Sequence, residues 1–597
     1  MTVIEVLVRY EARLKELEQD LGRAQLRQRL AATVSAIAFG LIVILGLCAI
    51  NQQMPWPWAL APIPVSVASA GLYRKYCDAR YRLWRLTCFC ERAVRRIQGK
   101  WACSGISGEE FVRTDHVYAR DLNVVGEGSL FELLCIAKTS IGQQGLANFL
   151  LNASSPEETL LRQEAVRELK DRVDLREKVA TLGELESDES RWSTFEDWLN
   201  SRSFHFARPL PVVAGITTSA LMVAVILVIG MGSSLWGRIE PWLILLVVFH
   251  SVIGLVYREK VNRMQALLCP VAVETPVVRE GLRMLEEQDF QSVKLRHLVA
   301  QVRQASKSFR ELERLLFALN ERQNPFFYAP SLLLLAGTQL CMAIQKWRNR
   351  HGESLRIWLH AWAEFEALNA LAAYAYENPE NTFPEFSNEH VCFEARGLGH
   401  PLLPHDGCVR NDVDLNQAFR FYVLSGSNMS GKSTLLRAVG LNAVLALAGA
   451  PVRARALRLS SGLSVFASLA TVDSLLNGKS KFQAEVDRLR QTIEAALAAQ
   501  PVLFIVDEIF SGTNSRDRRV AAEAVVRTLV GRGAIGVLST HDLALTEIAC
   551  TDGLRGVNVH MGSRDGIDPM EFDYCLKPGV TQESNALAIA RMSGVPV

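Results

Sequence analysis

The sequence predicts a mixed chain: an α/β domain with a mostly parallel sheet at its C-terminal end, an all-α helical region before it, and four membrane-crossing helices in two hairpins. Three observations carry that expectation. Short apolar strands at 421–424, 501–506 and 534–538 each run into a cluster of small or charged residues, the way buried parallel strands deliver side chains to a sheet edge. Uncharged runs at 31–50, 209–231 and 241–257 fall within the ~17–25 residues that a hydrocarbon core requires of a helix. Residues 289–322 and 351–376 are long, charged and amphipathic without proline, which reads as extended helices.

At 597 residues the chain is too long for one core, and roughly 100–200 residues per domain implies three or four units. The net charge of +2 excludes a global field that announces nucleic acid. The local cluster Arg80, Arg82, Arg85, Arg92, Arg95, Arg96 and Lys100 fits a cytoplasmic flank beside a membrane. Twelve cysteines without C-x-x-C spacing fit a reducing compartment and argue against a disulfide framework.

In chain order, residues 1–30 read as an amphipathic helix. Leu7, Leu14 and Leu21 repeat every seven with Tyr10 and Leu17 between them, a stripe that faces either the chain's own helices or a second copy. Thirty helical residues ahead of the apolar run disfavour a cleaved signal peptide. Residues 31–73 read as the first hairpin: its second arm, Trp56–Tyr73, is interrupted by Pro57, Pro62 and Pro64 and ends in Arg74 and Lys75. Residues 74–208 read as a helical linker and the first half of a helical core. Residues 209–257 read as the second hairpin, followed at once by Arg258, Lys260 and Arg263, with His250 the one residue of the Asp, Glu, Lys, Arg and His set inside a predicted span. Residues 258–385 read as the second half of the core. The uncharged stretch 325–345 within it is expected to be a buried helix of a soluble domain, because a fifth crossing would carry the C-terminal domain out of the cytoplasm. Residues 386–597 complete the chain as the α/β domain. The basic flanks place both hairpins in the inner, cytoplasmic membrane with the C-terminal domain inside.

The chemistry sits in that last domain. Strand 421–424 leads into Gly426-Ser427-Asn428-Met429-Ser430-Gly431-Lys432-Ser433, and Thr434–Ala448 reads as a helix. Strand, glycine loop and helix in that order cradle phosphates: backbone N–H groups turn inward, the helix N-terminus adds a favourable dipole, Lys432 reaches the β/γ oxygens and the Ser433 hydroxyl serves Mg²⁺. The strand 501–506 ends in Asp507-Glu508, suited to holding Mg²⁺ through Asp507 and to polarising an attacking water through Glu508. The strand 534–538 leads to His541, placed to sense the γ-phosphate. The cofactors implied are ATP and Mg²⁺.

The segments GSNMSGKST, DEIFSGTNSRD, LSTHD and YCLKPGVTQESNALAIARMSGVP resemble the ATPase domain of the MutS family of DNA mismatch-repair proteins, within the ABC-type ATPase class. DSLLNGKSKFQAEV resembles that family's signature segment, carried by Ser480, Phe482 and Glu485, and the LSGGQ-type transporter signature is absent. Residues 121–169 resemble the start of the family's helical core, and 270–380 would be its return half. The resemblance implies a homodimer through the ATPase domains, in which Lys432, Glu508 and His541 act catalytically, and Thr434 and Val409 join the loop residues at the nucleotide. Ser480, together with Asn428, would complete the site across the dimer, and residues 511–517 would link the two sites. Three departures stand out. No room precedes the core for a mismatch reader, and the second hairpin occupies the place of the family's DNA clamp. Cys408 stands where the family sets an aromatic against adenine. The resemblance thus implies a membrane-anchored ATPase with a DNA partner by inheritance. The hairpins imply an alternative: a membrane mechanochemical ATPase acting on a lipid, peptide or envelope partner without DNA, with an unknown protein partner.

Overall fold

A computed structural model describes residues 2–112, 116–183, 198–201, 206–207, 209–231, 236–322, 324–427, 429–469, 481–498, 500–510, 514–562 and 571–581. These fall into two compact units. One comprises Met1–Ile136, Leu146–Thr181 and Leu368–Val597, the other Ala137–Gly145 and Leu182–Ala367.

The first unit begins with a continuous helix, Val3–Ile50, of 48 residues and about 72 Å. Its start is fixed by a reciprocal cap in which Thr2 Oγ1 accepts from Glu5 N while Glu5 Oε2 accepts from Thr2 N. The heptad stripe does not stop at residue 21. Tyr10, Leu17, Ala24, Ala31 and Ala38 are buried at seven-residue intervals, with Leu14, Leu21, Gln28, Ser35 and Ile42 half-buried between them. The stripe packs on the chain's own return helix, Ile63–Ile97, whose inward positions Ser69, Tyr76, Leu83, Cys90 and Ile97 also recur every seven. Within the apolar part the seam is lined by Ala31, Ser35 and Ala38, small residues that let two backbones approach closely.

At its base the hairpin is anchored. Val6, Tyr10, Leu17, Phe89, Cys90 and Ala93 form one buried cluster with Ala180 and Tyr376. Arg96 makes a bidentate pair with Glu377, 2.7 and 2.5 Å, with both side chains buried. Arg13 forms a second fork with Glu177 at 3.1 and 2.9 Å.

Three described helices are long and apolar enough to cross a membrane, in the ranges Val3–Ile50, Leu210–Leu227 and Ile239–Cys269, against four expected. Trp56–Tyr73 falls short. Prolines 55, 57, 62 and 64 lack the N–H that a helix interior needs, so the arm divides into Trp56–Leu60 and Ile63–Ile97. The antiparallel return itself is intact.

The α/β part of the first unit carries two sheets. In chain order the strands are β1 (Glu385–Ser387), β2 (Phe393–Leu398), β3 (Asn411–Leu415), β4 (Phe421–Gly426), β5 (Ala456–Ser460), β6 (Ser464–Ser468), β7 (Val502–Asp507), β8 (Ile535–Thr540), β9 (Gly556–Met561) and β10 (Lys577–Pro578). A four-stranded sheet has the order β1-β5-β2-β3, and a six-stranded sheet the order β10-β9-β4-β8-β7-β6. In the larger sheet every pairing is parallel except that of β10 with β9, in line with the mostly parallel sheet expected. β4 and β8 are buried at every position, because helices cover both faces of such a sheet. Phe421, Val423, Phe504, Val506 and Leu538 pack there with Val526 and Leu529 of the helix Ser515–Gly531.

The second unit is helical. Leu210–Met231 and Trp236–Glu286 form an antiparallel pair, with the rings of Phe206 and Tyr257 5.6 Å apart at its base. Ala305–Glu321 packs along the second arm. Glu366, fully buried, accepts from Lys138 N at 2.7 Å and from Thr139 Oγ1, and burial pushes its carboxyl up to about 7. Residues 325–345 do not form the single buried helix expected. Pro325–Leu333 and the helix starting at Ala336 meet at a 77° bend, where Leu335 takes a left-handed φ of 50°. Phe326, Phe327, Tyr328, Leu332 and Leu333 are exposed.

Candidate nucleotide site

The candidate phosphate loop grows from the middle of the large sheet. β4 lies between β9 and β8, so its C-terminal end opens where chains of the sheet diverge. Gly426 has φ 154°, and a Cβ there would meet the Met561 carbonyl oxygen at 2.5 Å. Gly431, at φ 99°, caps the helix Lys432–Ala448. Met429 holds a left-handed φ of 68° without being glycine, a conformation that persists only where its surroundings dictate it.

Lys432 is buried and folds back on the loop: its Nζ donates to the carbonyls of Gly426 and Ser427, each at 2.8 Å. Burial lowers its affinity for the proton, while Asp507 and Glu508 act the other way. Ser430 Oγ donates to Ser427 O at 2.9 Å, and Ser427 Oγ is buried with no hydrogen-bond partner. Thr434 and Met429 are exposed at the loop surface, and Gly431 and Ser433 are half-buried. Asn428 lies outside the described residues.

Two further strands complete the cluster: β7 ends in the acids, and β8 carries Ser539 and leads to His541. Ser433 Oγ donates to Asp507 Oδ2 at 2.8 Å, and Ser539 Oγ donates to Asp507 Oδ1. Glu508 takes φ 53°, its N–H donating to Ser539 O at 3.1 Å, which turns its carboxylate away from the strand. Glu508 Oε1 then lies 3.1 Å from His541 Nε2. Burial and the Lys432 charge hold the His541 imidazole below its ordinary value, against the pull of Glu508 and Asp507, which favours the neutral ring at pH 7. Lys432, Ser433, Asp507, Glu508 and His541 thus converge on one sheet edge.

Among the described residues no group of three or more His, Cys, Asp or Glu gathers to hold a metal alone. The Ser433–Asp507 pair fits Mg²⁺, which is ordinarily held by one or two protein oxygens together with substrate phosphates. The orphaned Ser427 hydroxyl and the two left-handed glycines fit a phosphate chain in the same cradle.

Ser480 lies outside the described residues, as do 511–513 of the expected connecting loop. The rest of the signature is in place. Glu485 Oε1 accepts from Phe510 N at 2.6 Å, the rings of Phe482 and Phe510 are 6.0 Å apart, and Arg518 Nε donates to Phe510 O. Glu485 is therefore a support for the β7 loop, two residues past Glu508.

Sequence reasoning missed two residues. Tyr574 lies against the loop, since a Cβ on Gly431 would stand 3.0 Å from its Cδ1. Asn411, on β3, fixes it by donating to Tyr574 O at 3.0 Å and accepting from Leu576 N at 2.7 Å. Val409 is exposed two residues from this clamp, and Cys408 Sγ accepts from His400 N. Tyr574 sits in the closing segment quoted for the resemblance, but only the β9–β10 return brings it to the loop. The second is Asp121, buried, whose carboxylate accepts from Leu469 N at 3.1 Å and pairs with Arg488, while its carbonyl accepts from Arg437 of the loop helix. It ties residues 117–124 to both helices that flank the site.

Residues 422–597 match the family model described as MutS domain V. The chain is 30% identical over 240 residues to the DNA mismatch repair protein MutS of Lactobacillus delbrueckii subsp. bulgaricus, covering 39% of this chain and 28% of that one. It is 31% identical over 282 residues to DNA mismatch repair protein MutS 2 of Halobacterium salinarum (47% and 32%). It is 31% identical over 294 residues to Endonuclease MutS2 of Thermomicrobium roseum (48% and 34%). The chain thus spans about a third of the length of these relatives.

Proposed function

Because this chain belongs to the MutS family through its domain V, we propose that it is a membrane-anchored ATPase that binds and hydrolyses ATP with Mg²⁺ and couples turnover to its helical core. The observation that carries this reading is the convergence of Lys432, Ser433–Asp507 at 2.8 Å and Glu508–His541 at 3.1 Å on one sheet edge.

In this reading the loop from Gly426 to Thr434, Asn428 included, grips the phosphates through backbone N–H groups, and Lys432 exchanges its two carbonyl partners for phosphate oxygens. Mg²⁺ held at Ser433 and Asp507 supplies positive charge against the developing negative charge of the transferred group. Glu508 orients and polarises water, and neutral His541 donates towards the γ-phosphate position. Tyr574 offers an aromatic face for adenine where Cys408 does not, beside Val409. Ser480 of a second copy completes the site, making a homodimer through the ATPase domains. The hairpins anchor the chain in the inner membrane with the ATPase domain on the cytoplasmic side.

The relatives' names give the output its first reading, a DNA transaction of the mismatch-repair type. The apolar pair at Leu210–Met231 and Trp236–Glu286 favours a second, in which the engine acts on a lipid, peptide or envelope partner.

The test is ATP hydrolysis by the detergent- or nanodisc-held protein. Lys432→Ala should abolish binding, and Glu508→Gln should bind ATP, lose turnover by about a hundredfold and accumulate as dimer. A Glu508→Gln protein that turns over at the parent rate would remove Glu508 from its role. Stimulation by duplex DNA with a steep salt slope selects the first output; a flat DNA response with active basal turnover selects the second.

A further inference from the structure

We propose that residues 324–345 form a re-entrant wedge that dips into one leaflet of a bilayer and returns to the side it came from, its exposed side chains packed on lipid acyl chains. The proposal rests on the membrane reading above. It replaces the choice between a fifth crossing and a soluble helix with a third arrangement.

The base of the second hairpin is marked by the Phe206–Tyr257 ring contact and by Arg258, Lys260 and Arg263 just beyond it. Both ends of the wedge lie at that level or below. Before it, Leu319 O accepts from Gln265 Nε2, and Asn320 Oδ1 lies 3.5 Å from Cys269 Sγ. After it, Arg348 donates to the carbonyls of Leu199 and Ser201 at 2.9 and 2.5 Å, ahead of the hairpin's first arm.

The bend lies deeper. His250 Nδ1 donates to Leu333 O at 2.6 Å, and its Nε2 meets Thr217 Oγ1 at 2.8 Å. Gln339 Nε2 donates to Leu334 O at 2.9 Å and to Thr218 Oγ1 at 3.0 Å. His250 is seven residues before Tyr257, and Thr217 and Thr218 are seven and eight after Leu210. At 1.5 Å per residue both counts put the bend about 10–12 Å into the span, well short of the ~30 Å a crossing needs.

The polar residues have a physical reason to be there. A bend at such depth frees carbonyls that lipid cannot satisfy, and broken backbone is tolerated in a bilayer only where protein groups re-satisfy it. His250, Thr218 and Gln339 do that for Leu333 and Leu334. Phe326, Phe327, Tyr328, Leu332 and Leu333 are exposed, and so are Ile216 and Phe249, chain neighbours of the Thr217 and His250 that bond to each other and to the bend. Apolar side chains exposed on the wedge and beside its anchor commit the occupant to lipid.

The experiment uses the full chain, its native cysteines replaced, in sealed phosphatidylcholine–phosphatidylglycerol vesicles. Single cysteines are placed at Phe327, Leu332, Phe39, Trp242, Arg350 and Glu240. Each is read by impermeant maleimide from either side and, as a bimane adduct, by quenching from nitroxides near the glycerol end or the methyl end of the acyl chain. Expected are lipid quenching at Phe327 and Leu332, strongest from the shallow nitroxide, and labelling of Arg350→Cys from the ATPase side only and of Glu240→Cys from the opposite side only. Adding His250→Ala should open Phe327→Cys to maleimide from the ATPase side. Labelling of the wedge from the far side would overturn the proposal in favour of a crossing. Aqueous labelling without quenching, while Phe39 and Trp242 are quenched, would overturn it in favour of a soluble helix. Absence of quenching at Phe39 and Trp242 would bring down the membrane reading, and the wedge with it. Should the cysteine-free chain lose ATPase activity, photocrosslinking residues at the same positions in the native background read lipid adducts directly, and none at Phe327 with adducts at Trp242 overturns the wedge.

Discussion

The two hairpins read alike as hydropathy and are built differently. The first is a seam: small residues at heptad spacing, Ala24, Ala31 and Ala38 on one helix and Ser69 on the other, close two backbones over a long run, and a buried Arg96–Glu377 fork fixes the base. The second carries hydrogen bonds at depth, from His250, Thr217 and Thr218. One is held by shape and a root charge pair, the other by polar groups that close a break. An apolar run therefore says that a segment suits lipid, and the residues punctuating it say what holds it.

The largest test of this contrast is the root. Arg96→Ala leaves Glu377 buried and uncompensated, and should cost about 3–5 kcal/mol, read as chemical denaturation of the first unit; a cost under ~1 kcal/mol would show that the apolar cluster alone anchors the hairpin.

Acid and base should then separate the two units. In the first, His400 is buried beside Arg437 and Arg453, and burial holds its imidazole down to about 4. Between that value and 6.5 the unfolded chain binds a proton that the fold refuses, so stability falls as pH drops through this window, by about 3 kcal/mol. In the second unit Glu366 is held up to about 7. There the fold keeps a proton that the unfolded chain releases, so stability falls by a similar ~3 kcal/mol as pH rises from about 4.5 through 7. Hydrogen exchange across pH 4 to 8 should show opposite slopes, flattened by His400→Gln in one unit and Glu366→Gln in the other; parallel slopes would sink this assignment.

Smaller effects probe the seams. Ala31→Leu and Ala38→Leu should overpack the first hairpin by about 1–3 kcal/mol, seen as a lowered melting temperature in detergent, while Val212→Leu on an exposed face should change nothing measurable. His250→Ala should cost the second unit only about 1 kcal/mol, the scale of buried hydrogen bonds among membrane helices.

The candidate site was legible because its determinants are local: a strand, two glycines and Lys432-Ser433 lie within a dozen residues, and Asp507-Glu508 close a strand of their own. Tyr574 was not, because what matters is the topology that lays β9 beside β4 and carries the chain back over Gly431. The first three heptads were visible as leucines. Their continuation was hidden because Ala24, Ala31 and Ala38 do not stand out from an apolar background, although their spacing does. The stretch 325–345 misled because composition weighs exposure to lipid and burial in protein equally. Pro330 and the polar side chains of Thr217, Thr218 and His250 were the signals of a break, and they lie far apart in sequence.

The partners of the root fork are 281 residues apart. At a synthesis rate of 5–20 residues per second, Glu377 emerges roughly 14 to 56 seconds after Arg96. For that interval the nascent hairpin has left the ribosome with a guanidinium whose counter-charge does not yet exist. In the proposed membrane-anchored reading, insertion of the first arm and its docking are separated in time by the order of translation, and any factor that holds basic amphipathic helices at the membrane surface has that interval in which to act.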